Sequence, residues 1–91
     1  MNLISARWEK RATAVLDYQI NWATWLGTDT IATSTWSVPA GITKDSDTNT
    51  TTTATIWLKS GTVGTTYELT NTIVTAGGRT DYRTIAIEVI D

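Results

Sequence analysis

The stretch VLDYQINW, from Val15 to Trp22, has the clearest pattern in the sequence. Large apolar or aromatic residues stand at positions 16, 18, 20 and 22, and polar residues stand at positions 17, 19 and 21. Because successive side chains of a strand point to opposite faces, this alternation predicts a β-strand with one buried face and one face in water.

Similar segments follow this strand at a spacing of roughly ten residues, with turn signals between them. We predict further strands over residues 31–38, 42–44, 51–59, 65–75 and 83–90, and a polar loop over residues 45–49. The pattern predicts an all-β, immunoglobulin-like β-sandwich of about seven short strands that occupies residues 15–91. The predicted core residues are Tyr18, Ile20, Trp22, Trp36, Ile56, Leu58, Leu69, Ile73, Ile85, Ile87 and Val89.

Tyr67 follows a turn and begins the long strand 65–75. This is the setting of the tyrosine corner of immunoglobulin-like sandwiches, in which the hydroxyl group bonds back to the backbone a few residues upstream. The residue therefore supports the sandwich prediction and carries no information about a ligand.

Residues 1–14 lack a clean period of 2 or 3.6, and we predict an N-terminal arm outside the core. The arm holds three of the seven Lys and Arg residues, and without it the chain has a net charge of −4. A cationic arm suits an acidic neighbour. We expect a protein interface at Arg7, Trp8, Lys10 and Arg11, and also at Trp57, which lies on the face opposite Ile56 and Leu58.

The composition excludes many functions before any motif is considered. The chain has 91 residues, a net charge of −2, no cysteine and no histidine. It therefore lacks the commonest general base, thiolate nucleophiles and Cys-based metal sites. The charge balance does not suit a nucleic-acid binder, and no run approaches the ~20 apolar residues of a membrane-spanning helix. We expect no enzymatic activity, no catalytic residues and no cofactor.

Asp45, Asp47 and Asn49 have the opening spacing of a calcium-binding loop. The complete loop needs Gly at its sixth position and Glu at its twelfth, where this chain has Thr50 and Ile56. We therefore interpret the segment as a turn and predict no metal site.

The sequence as a whole resembles a family of small bacteriophage structural proteins, the fiber-tail adaptors. The resemblance covers residues 15–89 and lies in the segments 15–22, 29–41, 61–71, 75–81 and 83–87. It implies an immunoglobulin-like domain in the virion, made in the host bacterial cytoplasm and placed where tail or neck meets the fibers. It also implies contacts with other tail, neck or fiber proteins and with further copies of the chain.

Two other functions remain open at this stage. One is a capsid decoration protein, which is also a small Thr-rich sandwich. The other is a carbohydrate-binding module that attaches the particle to a host glycan. A glycan platform needs two or more coplanar exposed aromatic rings, and only Trp57 is clearly outward, so we do not expect a glycan partner.

Overall fold

Two β-sheets enclose the side chains that the alternating pattern predicts to be buried. The computed structural model describes residues 4–91, and within them seven strands and one short helix form. These elements are β1 (Ile4–Arg11), β2 (Leu16–Asn21), α1 (Ala23–Leu26), β3 (Ile31–Ser37), β4 (Ile42–Asn49), β5 (Thr53–Ser60), β6 (Thr66–Thr75) and β7 (Thr80–Ile90). No helix in this part of the chain has the length and apolar character that crossing a membrane requires.

The strand order identifies the fold. One sheet has the order β1-β7-β6-β3 and the other has the order β2-β5-β4. All neighbouring strands are antiparallel except β1 and β7, which are parallel. Sheets made of the second, fifth and fourth strands and of the third, sixth and seventh strands are those of an immunoglobulin-like sandwich, so the predicted fold is confirmed.

The space between the sheets holds the predicted core. All eleven side chains predicted to be buried are buried, and Leu26 of α1 closes one end of the core. Trp36 is the buried tryptophan of the third strand that immunoglobulin-like domains often have. The side-chain period of two was enough to assign these residues, because each lies on a strand with one covered face.

The tyrosine corner is also present. The Tyr67 hydroxyl accepts a hydrogen bond of 3.0 Å from the backbone N–H of Thr62. Gly61 precedes this turn with a φ of +111°, and a Cβ atom there would lie 2.7 Å from Cγ2 of Val89. Both the backbone conformation and the close approach therefore require glycine at this position.

The prediction of an arm outside the core is wrong for residues 4–11. They form β1, which pairs in parallel with β7 in the register Trp8 to Ile87 and Arg11 to Ile90. The inward positions of β1 include Trp8 and Lys10. Because a charged residue stands at an inward position, the alternation of apolar and polar residues that marks a strand is not visible in the sequence. Residues 1–3 of the predicted arm lie outside the described residues.

The prediction of a loop over residues 45–49 is also wrong. β4 continues to Asn49 and pairs with β5, with Asp47 opposite Ile56 and Thr48 opposite Thr55. A shift of register between Lys44 and Ser46 accommodates Asp45 as an extra residue. Pairing with a buried neighbour strand thus overrides the turn preference of the Asp and Asn side chains.

Candidate protein interface

Trp57 lies on the outer face of the β2-β5-β4 sheet, as predicted. It is 38% exposed, and its register neighbours are Asp17 on β2 and Ser46 on β4. The indole ring thus forms an apolar area on a polar sheet face. Large exposed aromatic side chains of this kind serve as anchors in protein interfaces.

The outer face of β1 carries alternating charges. Arg7 and Arg11 are exposed, and Glu9 stands between them. Arg7 lies opposite Ala86 of β7, and Glu9 lies opposite Glu88. Because Ala86 is small, the side chains around it line a shallow groove of about 470 Å³, to which Thr66 of β6 also contributes. This end of the four-stranded sheet is a charged, recessed surface.

Lys10 is not available to a partner, contrary to the sequence prediction. It is 1% exposed, and its Nζ donates hydrogen bonds to the carbonyl oxygens of Arg11, Ala12 and Ser60 at 2.9, 3.3 and 2.7 Å. Burial lowers the pKa of this lysine. The side chain joins the end of β1 to the end of β5, so its role is structural.

Trp8 packs mainly against its own domain. Its ring centroid lies 5.3 Å from that of Tyr18 on β2, at an interplanar angle of 34°. The Tyr18 hydroxyl donates a hydrogen bond of 3.1 Å to the backbone oxygen of Glu9. Trp8 is half-buried, and these contacts hold β1 against the second sheet. The proposed anchoring role of Trp8 is thus limited to the exposed part of its ring.

The end of the sandwich that holds α1 and the turn between β6 and β7 carries two arginine–tryptophan stacks that the sequence analysis did not identify. The Cζ atom of Arg79 lies 4.2 Å from the ring centroid of Trp25, and that of Arg83 lies 4.2 Å from the ring centroid of Trp22. The two indole rings meet edge to face at 5.4 Å. No local pattern indicates these contacts, because the partners are more than fifty residues apart in the chain.

Asp29 connects the loop between α1 and β3 to the turn between β6 and β7. Its carboxylate accepts hydrogen bonds from the N–H of Thr30, the N–H of Gly77 and Nε of Arg79 at 2.8, 3.0 and 3.0 Å. The Thr75 hydroxyl, the Thr30 N–H, Arg79 and the Gly77 N–H together lower its pKa to about 2. A Cβ atom on Gly77 would lie 2.9 Å from Oδ2 of Asp29, so a larger residue there would displace the carboxylate from this position. Charge-assisted hydrogen bonds to Asp29 therefore hold this loop and this turn together.

The carboxylates of the Asp45–Asn49 segment pair with lysines. The Lys44 Nζ lies 2.6 Å from Oδ2 of Asp47, and the Lys59 Nζ lies 3.4 Å from Oδ1 of Asp45. Within residues 4–91, no group of three or more Asp and Glu side chains has an arrangement that could hold a metal ion. These acidic residues serve as surface charges of the β4 edge.

These surfaces define a class of protein: a small immunoglobulin-like domain whose distinctive exposed side chains are aromatic rings, arginines and carboxylates. Residues 10–88 match the family described as podophage GP4 fiber-tail adaptor protein gp77. The chain belongs to this family of phage fiber-tail adaptors, as the resemblance implied. No curated protein matches the sequence.

Proposed function

We propose that this protein is a non-enzymatic component of the phage particle, which joins the tail or neck to the fibers through protein–protein contacts. The observation that carries the proposal is membership of the fiber-tail adaptor family over residues 10–88. The family name supports a location in the virion. Synthesis in the host cytoplasm, several symmetric copies and contacts with tail, neck or fiber proteins are parts of the same proposal.

The adaptor needs two separate contact surfaces, and the sandwich has candidates on both sheets. Trp57 projects from the β2-β5-β4 sheet, whereas Arg7 and Arg11 project from the β1 edge of the other sheet. We propose that Trp57 fills an apolar recess on one neighbour and that the two arginines meet carboxylates on another. Trp8 contributes by fixing β1, and Lys10 takes no part.

The positions of the exposed aromatic rings favour an adaptor over a carbohydrate-binding module. Tyr82 is 65% exposed, but it lies on the outer face of the β1-β7-β6-β3 sheet, whereas Trp57 lies on the outer face of the other sheet. Rings on opposite faces of a sandwich do not form one platform for a sugar chain. A capsid decoration protein would use the same kind of contacts at a different place in the particle.

The deciding experiment is a cryo-EM map of the intact virion. Particles that carry Trp57→Ala, or the double change Arg7→Glu and Arg11→Glu, are imaged beside it to test the two contact surfaces. We expect density for this domain between tail and fibers, and fewer attached fibers in both variants. Thr48→Ala, on the same sheet as Trp57, is the matched control and should assemble normally. Density on the head surface or at the fiber tips would overturn the adaptor role.

A further inference from the structure

The four edge strands of the two sheets differ in how they are protected against pairing with another strand. β1 carries four charged residues, β4 carries three and β2 carries one. β3 has no charged residue from Ile31 to Ser37. Charged side chains on an edge strand oppose pairing with another chain, so β3 is the edge strand that the sequence leaves open.

The open edge of β3 is confined to a short regular segment. At the start of the strand, the Ile31 N–H already donates to the Thr51 oxygen at 2.9 Å, and the register with β6 shifts between Ile31 and Thr33. From Thr33 to Ser37 the pairing with β6 is regular. Within residues 4–91, the other side of this five-residue segment has no backbone partner strand. Pro39 then ends the segment.

Trp36, next to the centre of this segment, contains an unpaired polar atom. Its side chain is 8% exposed, and its Nε1 is the one buried side-chain nitrogen or oxygen atom without a hydrogen-bond partner among the described residues. The indole N–H of Trp22, by contrast, donates to Oδ1 of Asn71. A buried donor without an acceptor is uncommon in folded proteins.

We propose that Thr33–Ser37 of β3 pairs in antiparallel orientation with the same segment of a second copy, about a two-fold axis at Thr35. The pairing joins two four-stranded sheets into one sheet of eight strands. In this register, Thr33 lies opposite Ser37 of the second copy, and Ser34 lies opposite Trp36. Because Nε1 of Trp36 is enclosed within the single chain, the hydroxyl group of the facing Ser34 accepts from the indole N–H only when the ring turns toward the sheet edge on pairing.

The chemistry of the segment argues for a second copy as the occupant. A two-fold axis brings identical strands together, so a charge at the centre of the segment would meet the same charge. β3 has none, and its outer face carries the exposed hydroxyl side chains Thr33, Thr35 and Ser37. Paired Thr and Ser side chains on neighbouring strands stabilise a sheet. The proposal names a contact between copies of the proposed adaptor and rests on that function only for its setting in the particle.

The expected association is weak. A contact of five residues along one strand buries far less surface than a standard protein interface, so the isolated protein should exchange between monomer and dimer. In an assembled particle the copies are held close together, so their effective concentration is high and the overall affinity exceeds that of one contact.

The test is sedimentation equilibrium of the purified chain, from micromolar to millimolar concentration. We expect a monomer–dimer equilibrium, and we expect Thr35→Lys to weaken dimerisation by about tenfold or more because two lysines then face each other. Thr72→Lys is the matched control, since Thr72 pairs with Thr35 from the neighbouring strand β6. This variant adds the same charge one strand away from the edge and should dimerise like the parent.

An NMR dilution series of the unmodified chain provides a second measurement that needs no variant. The backbone amide signals of residues 33–37 and the indole N–H signal of Trp36 should change most with concentration. A chain that stays monomeric throughout would overturn the proposal, and so would a dimer whose concentration-dependent signals lie on β1 or around Trp57. Both results would leave the adaptor role to be decided by the virion map.

Discussion

Trp22, the residue directly after β2 of one sheet, and Asn71 on β6 of the other sheet are joined by a buried hydrogen bond, with Nε1 of Trp22 3.0 Å from Oδ1 of Asn71. Both residues are fully buried. The Asn71 amide also donates to Oγ of Ser34 and to the backbone oxygen of Thr35, at 2.9 and 3.2 Å. One side chain thus links the end of β2 to β3 and β6. Because the Trp22 N–H and both polar atoms of the Asn71 amide have partners, the network fixes how the two sheets are aligned.

The first prediction compares the two buried tryptophans. Trp22→Phe leaves the Asn71 oxygen without its donor, so we expect a loss of about 2–4 kcal/mol in the free energy of unfolding. Trp36→Phe removes a donor that has no acceptor in the single chain, so its cost should be smaller, about 1–2 kcal/mol. Urea unfolding at low protein concentration measures both. Equal losses would contradict the role assigned to the Trp22–Asn71 bond.

The second prediction concerns the tyrosine corner. Tyr67→Phe removes the acceptor of the Thr62 N–H, and we expect a loss of about 1–2 kcal/mol. Tyr82→Phe is the control, since Tyr82 is 65% exposed and its loss of a hydroxyl should leave stability within about 0.5 kcal/mol of the parent. Thermal melting of the two variants beside the parent measures the difference. A Tyr67→Phe variant as stable as Tyr82→Phe would argue against the corner.

The third prediction is a dependence of stability on acid pH. Asp29 has a pKa of about 2 in the folded chain against an ordinary value of 3.8, so its stabilising contribution is complete above pH 3.8. The contribution is lost as the pH falls through this interval, because the unfolded chain then binds the proton more tightly. We expect Asp29→Asn to show a shallower fall in stability between these two pH values than the parent.

The control for Asp29 is Thr48→Asn, which introduces the same amide at an exposed position without removing a titratable group. This variant should keep the pH dependence of the parent. Unfolding in urea at a series of acid pH values and constant ionic strength gives the three curves. Parallel curves for the parent and Asp29→Asn would contradict the assignment.

The sequence predicted the core well and the loop contacts poorly, for a physical reason. The inward positions of β2 and β7 follow from an alternation that any half-buried strand must show. The contact between Asp29 and Arg79 depends on which loops the topology brings together, and no short-range pattern encodes it. The outward position of Trp57 was predictable because its neighbours Ile56 and Leu58 fixed the parity.

The N-terminal strand shows the limit of the pattern most clearly. Lys10 occupies an inward position because three backbone carbonyl groups surround its ammonium group. In the sequence, the same lysine indicates a surface. An acceptor site built from the backbone oxygens of Arg11, Ala12 and Ser60 becomes visible only when the fold is known.

The fourth prediction tests the buried lysine. Lys10→Met keeps an apolar stem of similar length but leaves the Ser60 oxygen without its donor at 2.7 Å. An apolar replacement of a buried charge is sometimes neutral, but here it leaves carbonyl groups unpaired, so we expect a loss of about 1–3 kcal/mol. Arg11→Met is the control, because Arg11 is exposed and should cost less than about 0.5 kcal/mol. A neutral Lys10→Met would contradict the structural role assigned to these hydrogen bonds.

The fifth prediction concerns the removal of residues 1–14. Deletion takes β1 from the edge of β7, removes the ring of Trp8 from Tyr18 and removes the Lys10 bond to Ser60. We expect a loss of at least about 3 kcal/mol, because the packed part of Trp8, the backbone pairing with β7 and the bond from Lys10 to Ser60 are removed together. A free arm would leave the melting temperature of the shortened chain unchanged, so thermal melting distinguishes the two arrangements.

A peptide of residues 1–14, added to the shortened chain, separates loss of the strand from general damage. Because β1 is an edge strand, a separate peptide has access to the exposed side of β7 and supplies the same backbone hydrogen bonds. We expect the peptide to raise the melting temperature in proportion to the logarithm of its concentration once the site is nearly saturated. A peptide of the same composition in scrambled order should have no effect, since it does not place Trp8 and Lys10 at inward positions. Equal rescue by both peptides would show that the pairing of β1 with β7 is not specific.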